Sequence, residues 1–247
     1  METANPALSS RTFTGFGRVA AADTMSIQGT VNKAAVLLLC VLITATWVWN
    51  LFYQTMNPNA VVPWLTLGAI AGFIVALVTI FKKTWAGVTA PIYALLEGLV
   101  IGGLSALAEA QFQGIVIQAV GLTFGTCFAL LLAYKSRLIR ATENFKMGVV
   151  AATGGIVLVY LATIILGFFG VQIPLIHQSG IVGIGFSLFV VIIAALNLVL
   201  DFDFIEQGAA AGAPKYMEWY AAFGLMVTLI WLYIEILRLL TKLRSRE

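Results

Sequence analysis

Hydrophobic residues make up 61% of this 247-residue chain and charged residues only 10%, a balance that excludes a water-soluble globular domain. The formal net charge of +3 is small and gives no support for a nucleic-acid partner. The lipid bilayer is therefore the expected environment and the first expected partner of the chain.

Seven apolar segments follow one another along the sequence. A helix needs roughly 20 apolar residues to cross a hydrocarbon core about 30 Å thick. The segments are 34–54, 61–81, 88–108, 115–134, 147–170, 180–200 and 219–240. Because a helix satisfies its own backbone hydrogen bonds in lipid, the pattern predicts an all-α integral membrane protein with a bundle of seven transmembrane helices. We expect residues 1–33 to form a polar, flexible N-terminal tail and residues 34–247 to form the membrane domain.

The positive charges indicate how the bundle is oriented. With a cytoplasmic N-terminus, the three outer loops contain no Lys or Arg, and the following residues lie on the cytoplasmic side: Arg11, Arg18, Lys33, Lys82, Lys83, Lys135, Arg137, Arg140, Lys146 and Lys215. The basic C-terminal tail from Arg238 onward would then lie outside, against the rule that positively charged residues favour the cytoplasmic side of a membrane. Either the last segment is re-entrant or the earlier charges set the orientation. We expect seven spans with the N-terminus in the cytoplasm.

The sequence contains no motif that indicates catalysis. It has no phosphate-binding glycine loop, no cluster of His or Cys and no nucleophile motif. Cys40 and Cys127 lie in separate apolar segments, where a thiol behaves as a small hydrophobic group. We therefore expect neither an enzyme nor a bound cofactor.

Four acidic residues lie within or at the end of apolar segments: Glu97, Asp201, Asp203 and Glu235. An ionisable side chain at the centre of a transmembrane helix costs about 2.5–3.5 kcal/mol on insertion scales. Acids that persist there are candidates for a function, so these four are the candidate ion-path or pH-sensing residues.

The two aspartates in "LNLVLDFDFIEQG" differ by about 200° around a helix, so they cannot both face one cavity. Asn197 lies one turn before Asp201 on the same face, and the two form a polar stripe. Asp203 instead shares a face with Glu206 and Gln207. We expect Asp201 to point into the bundle, with Asn197 beside its path, and Asp203 to lie at the water boundary.

The other two acids each allow two interpretations. Glu97 lies about 14 Å from the inner end of the third segment. It is either a protonated packing residue or part of an ion or proton site. Glu235 either forms an ion pair with Arg238, three residues on, or lines an ion path. Since calcium binds carboxylate oxygens, Asp201 and Glu97 are the candidate calcium contacts, with calcium as a transported ion.

Three motifs in this order and spacing carry a family resemblance: "PIYALLEGLVIGG", "LVLDFDFIEQG" and "WLYIEILRLL". From about residue 30 to its end, the chain resembles the Bax inhibitor-1 / YccA family of seven-helix membrane proteins. The resemblance implies a bundle packed around the last helix. It also implies a pH-sensitive calcium leak pathway or a suppressor of stress-induced cell death. One bacterial branch modulates a membrane-bound AAA protease, which implies a membrane protease or another membrane protein as a partner.

The resemblance also suggests site residues. The family acid in an Asp-x-x-x-Ile pattern falls on Asp201, with Ile205 completing the pattern. The family's second acid falls on Glu235 by a short local match and on Thr228 by a longer one. Counted from the inner end, Asp201 lies at roughly 9 Å, Thr228 at 20 Å and Glu235 at 30 Å. We favour Thr228, which would leave the two-acid sensor altered, with Glu97 as a substitute partner.

The sequence therefore supports two possible functions. The first is a pH-sensitive calcium leak, with Asp201 as gate or proton sensor and with Glu97 and Glu235 along the route. The alternative is a non-conducting regulatory protein that modulates a membrane protease or a stress response, engaged through the polar tail. A secondary transporter has less support because no inverted repeat is visible. The family branch indicates a bacterial inner membrane, and an organelle membrane is the alternative.

Overall fold

The computed structural model describes residues 24–169 and 180–246. Seven long helices run through this part of the chain, and each is long and apolar enough to cross a membrane. They are α1 (Ile27–Thr55), α2 (Pro58–Phe81), α3 (Ala86–Gln111), α4 (Ile115–Lys135), α5 (Glu143–Phe168), α6 (Ile181–Ala210) and α7 (Met217–Arg244). The prediction of an all-α bundle of seven transmembrane helices is confirmed.

Helix α1 begins at Ile27, inside the segment that the sequence suggested as a flexible tail. The side chain of Ser26 caps the first turn by accepting a hydrogen bond from the Gly29 amide at 3.0 Å. The Met25 amide donates to the Ala213 carbonyl at 2.6 Å, in the connection between α6 and α7. The residues directly before α1 are thus attached to the bundle, and residues 1–23 lie outside the described part.

Helix α7 lies at the centre of the bundle, as the family resemblance implies. It packs against α1, α3, α4 and α6. Its side chains Tyr220, Phe223, Met226 and Leu232 are fully buried. The helix is unbroken over 28 residues, which corresponds to about 42 Å and exceeds the hydrocarbon thickness of about 30 Å. This length favours a seventh span over a re-entrant segment.

Two glycines allow α1 and α3 to pack with their backbones close together. A Cβ atom added at Gly98 would collide with the side chain of Thr44 and the backbone of Val41. A Cβ atom added at Gly102 would collide with the backbone of Ala45. Small residues permit this close approach between membrane helices, so these glycines serve packing. The backbone that approaches them belongs to α1.

Helix α5 is peripheral. It packs mainly against α6, and most of its surface is exposed in the described part of the bundle. Cβ atoms added at Gly148, Gly154 or Gly155 would meet nothing within 4 Å. Apolar packing therefore contributes less to the attachment of α5 than to that of the other helices. Polar contacts contribute a larger part of that attachment.

One end of the bundle contains the start of α1 and the α2–α3, α4–α5 and α6–α7 connections, and we call it the basic end. Lys33 pairs there with Glu218, and Lys146 pairs with Asp203 at 2.7 Å. Among the described residues, the structure thus gathers at one end the cations that the charge pattern assigns to one side, whereas Arg11 and Arg18 lie outside the described part. That this side is the cytoplasm stays a prediction.

Candidate functional site

Asp201 lies on α6, two and a half turns before the end of that helix, and only 1% of its surface is exposed. Neither carboxylate oxygen has a hydrogen-bond partner in the described part of the chain. The Thr228 hydroxyl of α7 is the polar group beside the carboxylate, where it can act as a donor to Asp201, although in this structure it donates to the Gly224 carbonyl at 3.3 Å. Cys127 of α4 is also close enough to interact electrostatically with Asp201. The acid therefore faces the contact between α4, α6 and α7.

Asn197 is buried on the same helix, one turn before Asp201. Its amide nitrogen donates to the Thr153 hydroxyl of α5 at 2.9 Å and to the Ile193 carbonyl at 2.8 Å. The polar stripe expected from the sequence therefore exists, but its two members face different neighbours. Asn197 binds α5, while Asp201 faces Thr228.

Asp203 lies at the basic end and is partly exposed. Its carboxylate pairs with Lys146 of α5 at 2.7 Å and accepts a hydrogen bond from Gln207. The adjacent Glu206 accepts a hydrogen bond from the Tyr134 hydroxyl of α4. These contacts place Asp203 at the boundary of the bundle, on the opposite side of α6 from Asp201.

Glu235 lies in α7, about 10 Å beyond Thr228 along the helix axis, and only 2% of its surface is exposed. It accepts hydrogen bonds from the Tyr160 hydroxyl at 2.9 Å and from Arg238 at 3.0 Å. The i,i+3 ion pair, one of the two interpretations of the sequence, is therefore present. Of the two residues that could match the family's second acid, Thr228 lies beside Asp201 and Glu235 does not.

Glu97 lies on α3 and faces α2. Its carboxylate oxygen Oε1 is 3.0 Å from the position that a Cβ atom on Gly72 would take, and it interacts with Tyr93 one turn earlier. Helix α3 packs mainly on α1 and α2, whereas α6 packs on α7. The structure therefore does not bring Glu97 to Asp201 as a substitute partner. In residues 24–169 and 180–246, no three His, Cys, Asp or Glu side chains form a group that could hold a metal ion.

A family profile described as "Bax inhibitor 1 like" matches residues 5–245, nearly the whole chain. The chain belongs to the Bax inhibitor 1 like family. No curated protein matches the chain. Family membership and the seven apolar helices together establish an integral membrane protein. The resemblance based on the three motifs is confirmed.

In this family member, three polar side chains seven residues apart share one face of α5 and attach it to the bundle. The contacts are Lys146 with Asp203 (2.7 Å), Thr153 with Asn197 (2.9 Å) and Tyr160 with Glu235 (2.9 Å). We call these three contacts the polar seam. The sequence interpretation missed the α5 side of the seam, although the repeat of seven, from the residue before an apolar segment into that segment, was a visible signal.

The sequence interpretation also missed one buried acid, Glu218. This residue directly precedes the apolar segment that begins at residue 219. Only 1% of its surface is exposed. It accepts hydrogen bonds from the Ser26 amide and hydroxyl, both at 3.0 Å, and it pairs with Lys33. Gly29 packs against the carboxylate, where a side chain would collide. Glu218 therefore links the first turn of α7 to the first turns of α1.

Proposed function

We propose that this protein is a pH-sensitive cation leak pathway for calcium and that conduction depends on Asp201. One observation supports the proposal: Asp201 is fully buried at membrane depth, and neither of its carboxylate oxygens is hydrogen-bonded in the described residues. Buried polar groups in proteins are nearly always paired, so an unpaired carboxyl group calls for an explanation. Binding a proton or a passing cation would supply one.

The other buried acids support this choice by contrast. Glu218 is paired with Lys33 and Ser26, and Glu235 is paired with Arg238 and Tyr160. Their charges are compensated, as expected of acids that stabilise a fold. Asp201 has no cationic partner within the described residues, and its polar neighbour is the Thr228 hydroxyl. Because a neutral carboxyl group binds calcium weakly, the flux should fall as the pH falls.

The first prediction concerns calcium flux through vesicles that contain the reconstituted protein and an enclosed calcium-sensitive dye. Asp201→Asn should abolish the pH-dependent part of the flux, because the amide neither titrates nor attracts a cation. Asp203→Asn is the matched control on the same helix and should retain the pH dependence, since Asp203 lies at the boundary. Equal, pH-independent flux in the wild type and in Asp201→Asn would contradict the proposed function.

A second candidate function is the non-conducting regulator of a membrane protease. It is favoured by the attachment of the chain before α1 to the centre of the bundle. Through Ser26 and Lys33, the N-terminal segment is bonded to Glu218 of α7. A protein that engaged the tail could therefore act directly on the central helix. In this proposal the tail faces the cytoplasm of a bacterial cell, the protein lies in the inner membrane, and it catalyses no reaction.

The second prediction separates this function from conduction. Deleting residues 1–23 keeps Ser26 and Lys33, so the bundle should keep its thermal stability while protease regulation is lost. Regulation is measured as the degradation rate of a membrane substrate in cells. Deleting residues 1–30 serves as the control, because it removes Ser26 from Glu218 and should also lower the melting temperature. Unchanged regulation after the shorter deletion would exclude a role for the tail.

A further inference from the structure

A cavity of about 390 Å³ lies between α1, α3, α4 and α7, away from Asp201 and the polar seam. Its volume falls in the range of small-molecule sites, about 300–1,000 Å³. Residues that line it include Leu42, Ala45, Gly102, Val120, Leu229 and Tyr233. The cavity therefore borders the central helix along one of its faces.

The hydroxyl groups in the wall of this cavity are hydrogen-bonded within the protein. Ser105 and Tyr233 share a hydrogen bond of 2.6 Å, and the Thr123 hydroxyl donates to the Ala119 carbonyl at 2.7 Å. The remaining lining is almost entirely aliphatic and aromatic. A buried water needs two to four polar partners, and an ion needs more. The chemistry of the wall thus fits a hydrocarbon occupant.

The cavity opens sideways between α1 and α4, which are not closely packed in the described bundle. Leu42 on α1 is 50% exposed at this opening, and Phe124 on α4 is 46% exposed. Both side chains belong to membrane-spanning helices. The cavity is therefore continuous with the surface that contacts lipid, and acyl chains are the molecules that surround its entrance.

The length of the cavity also fits an acyl chain. On α1 its lining extends from Leu38 to Trp49, a rise of about 16 Å. One leaflet contributes about half of the 30 Å hydrocarbon core, or roughly 15 Å. On α4 the lining runs from Val116 to Phe124, which is the half of the helix nearest its N-terminus. The cavity therefore spans about the depth of one leaflet.

We propose that one acyl chain of a membrane phospholipid inserts between α1 and α4 and occupies this cavity as a specific lipid site. The acyl chain contacts α7 at Tyr233 and at Leu229, which directly follows Thr228 in sequence. Lipid occupancy thereby fills the space next to α7, the helix whose Thr228 lies beside Asp201. The proposal is independent of ion conduction, since it depends on the shape and apolar character of the cavity.

The third prediction is tested with native mass spectrometry of the detergent-purified protein after addition of dioleoyl phosphatidylglycerol. Val120→Trp places an indole in the cavity and should weaken lipid retention by about tenfold. Ile117→Trp is the matched control on α4, where residue 117 is 72% exposed and outside the lining, and it should bind lipid as the wild type does. Equal retention by Val120→Trp and the wild type would overturn the proposal.

Leu42→Trp fills the same cavity from α1 at a half-exposed position and provides a second test if Val120→Trp does not fold. It too should lose retained phospholipid while keeping the thermal stability of the wild type. Competition between dioleoyl phosphatidylglycerol and oleate identifies whether the bound acyl chain belongs to a phospholipid or to a free fatty acid. Retention of dioleoyl phosphatidylglycerol in preference to oleate supports a phospholipid site. Retention of oleate alone would contradict it.

Discussion

Arg238→Met should lower the free energy of unfolding by about 1–3 kcal/mol, between the cost of losing an exposed ion pair and that of breaking a buried one, because Arg238 is partly exposed. Arg238 donates to both oxygens of Glu235 and to the Tyr160 hydroxyl at 2.7 Å. The Glu235 side chain is 2% exposed and that of Arg238 is 39% exposed. Removing the cation would leave Glu235 buried with Tyr160 as its partner. The Tyr160–Glu235 contact of the seam would then lose the cation that bonds to both of its members, which should loosen α5.

Unfolding of this variant can be followed in mixed micelles with a rising fraction of denaturing detergent. Arg246→Met is the matched control, because Arg246 is exposed beyond the end of α7, and it should unfold as the wild type does. The double variant Glu235→Leu, Arg238→Met should recover most of the lost stability, since it removes both charges. A single variant as stable as the wild type would show that the ion pair does not hold α5.

The number of helices could be predicted because it depends on the length and composition of each apolar run along the sequence. A span in lipid needs a long apolar run, and each of the seven runs became a helix. The start of α1 was missed because the polar residues Gln28, Asn32 and Lys33 precede the apolar run. They are tolerated within a helix at the basic end, where Lys33 reaches Glu218. The Ser26 cap was the local signal that the helix begins earlier.

The orientation of single side chains could be predicted where it depends on helical periodicity. The angle between Asp201 and Asp203 follows from their spacing, and in the structure one is buried and the other is partly exposed. The partners of these acids could not be predicted in the same way. Which residue faces Asp201 depends on how α6 and α7 pack. The repeat of seven indicates which face of α5 is polar, but the residues that this face contacts depend likewise on the position of α5.

Asp201→Leu should raise the free energy of unfolding by about 1–3 kcal/mol, the usual cost of a buried polar group without a hydrogen-bond partner. Leucine branches at Cγ as aspartate does and is larger, so the substitution removes an unsatisfied carboxyl group without leaving a cavity. In the folded bundle both oxygens of Asp201 lack a hydrogen-bond partner within the described residues. In denaturing micelles the same carboxyl group can reach water. Its removal therefore favours the folded state.

Asp203→Leu is the matched control and should have the opposite sign. It removes the partner of Lys146, an ion pair of 2.7 Å at the partly exposed end of the seam, and should destabilise the bundle slightly. Proteins commonly keep residues that lower stability where activity requires them. A more stable Asp201→Leu variant that has lost calcium flux would therefore identify Asp201 as a functional acid. A variant less stable than the wild type would show instead that the carboxyl group holds α6 and α7 together.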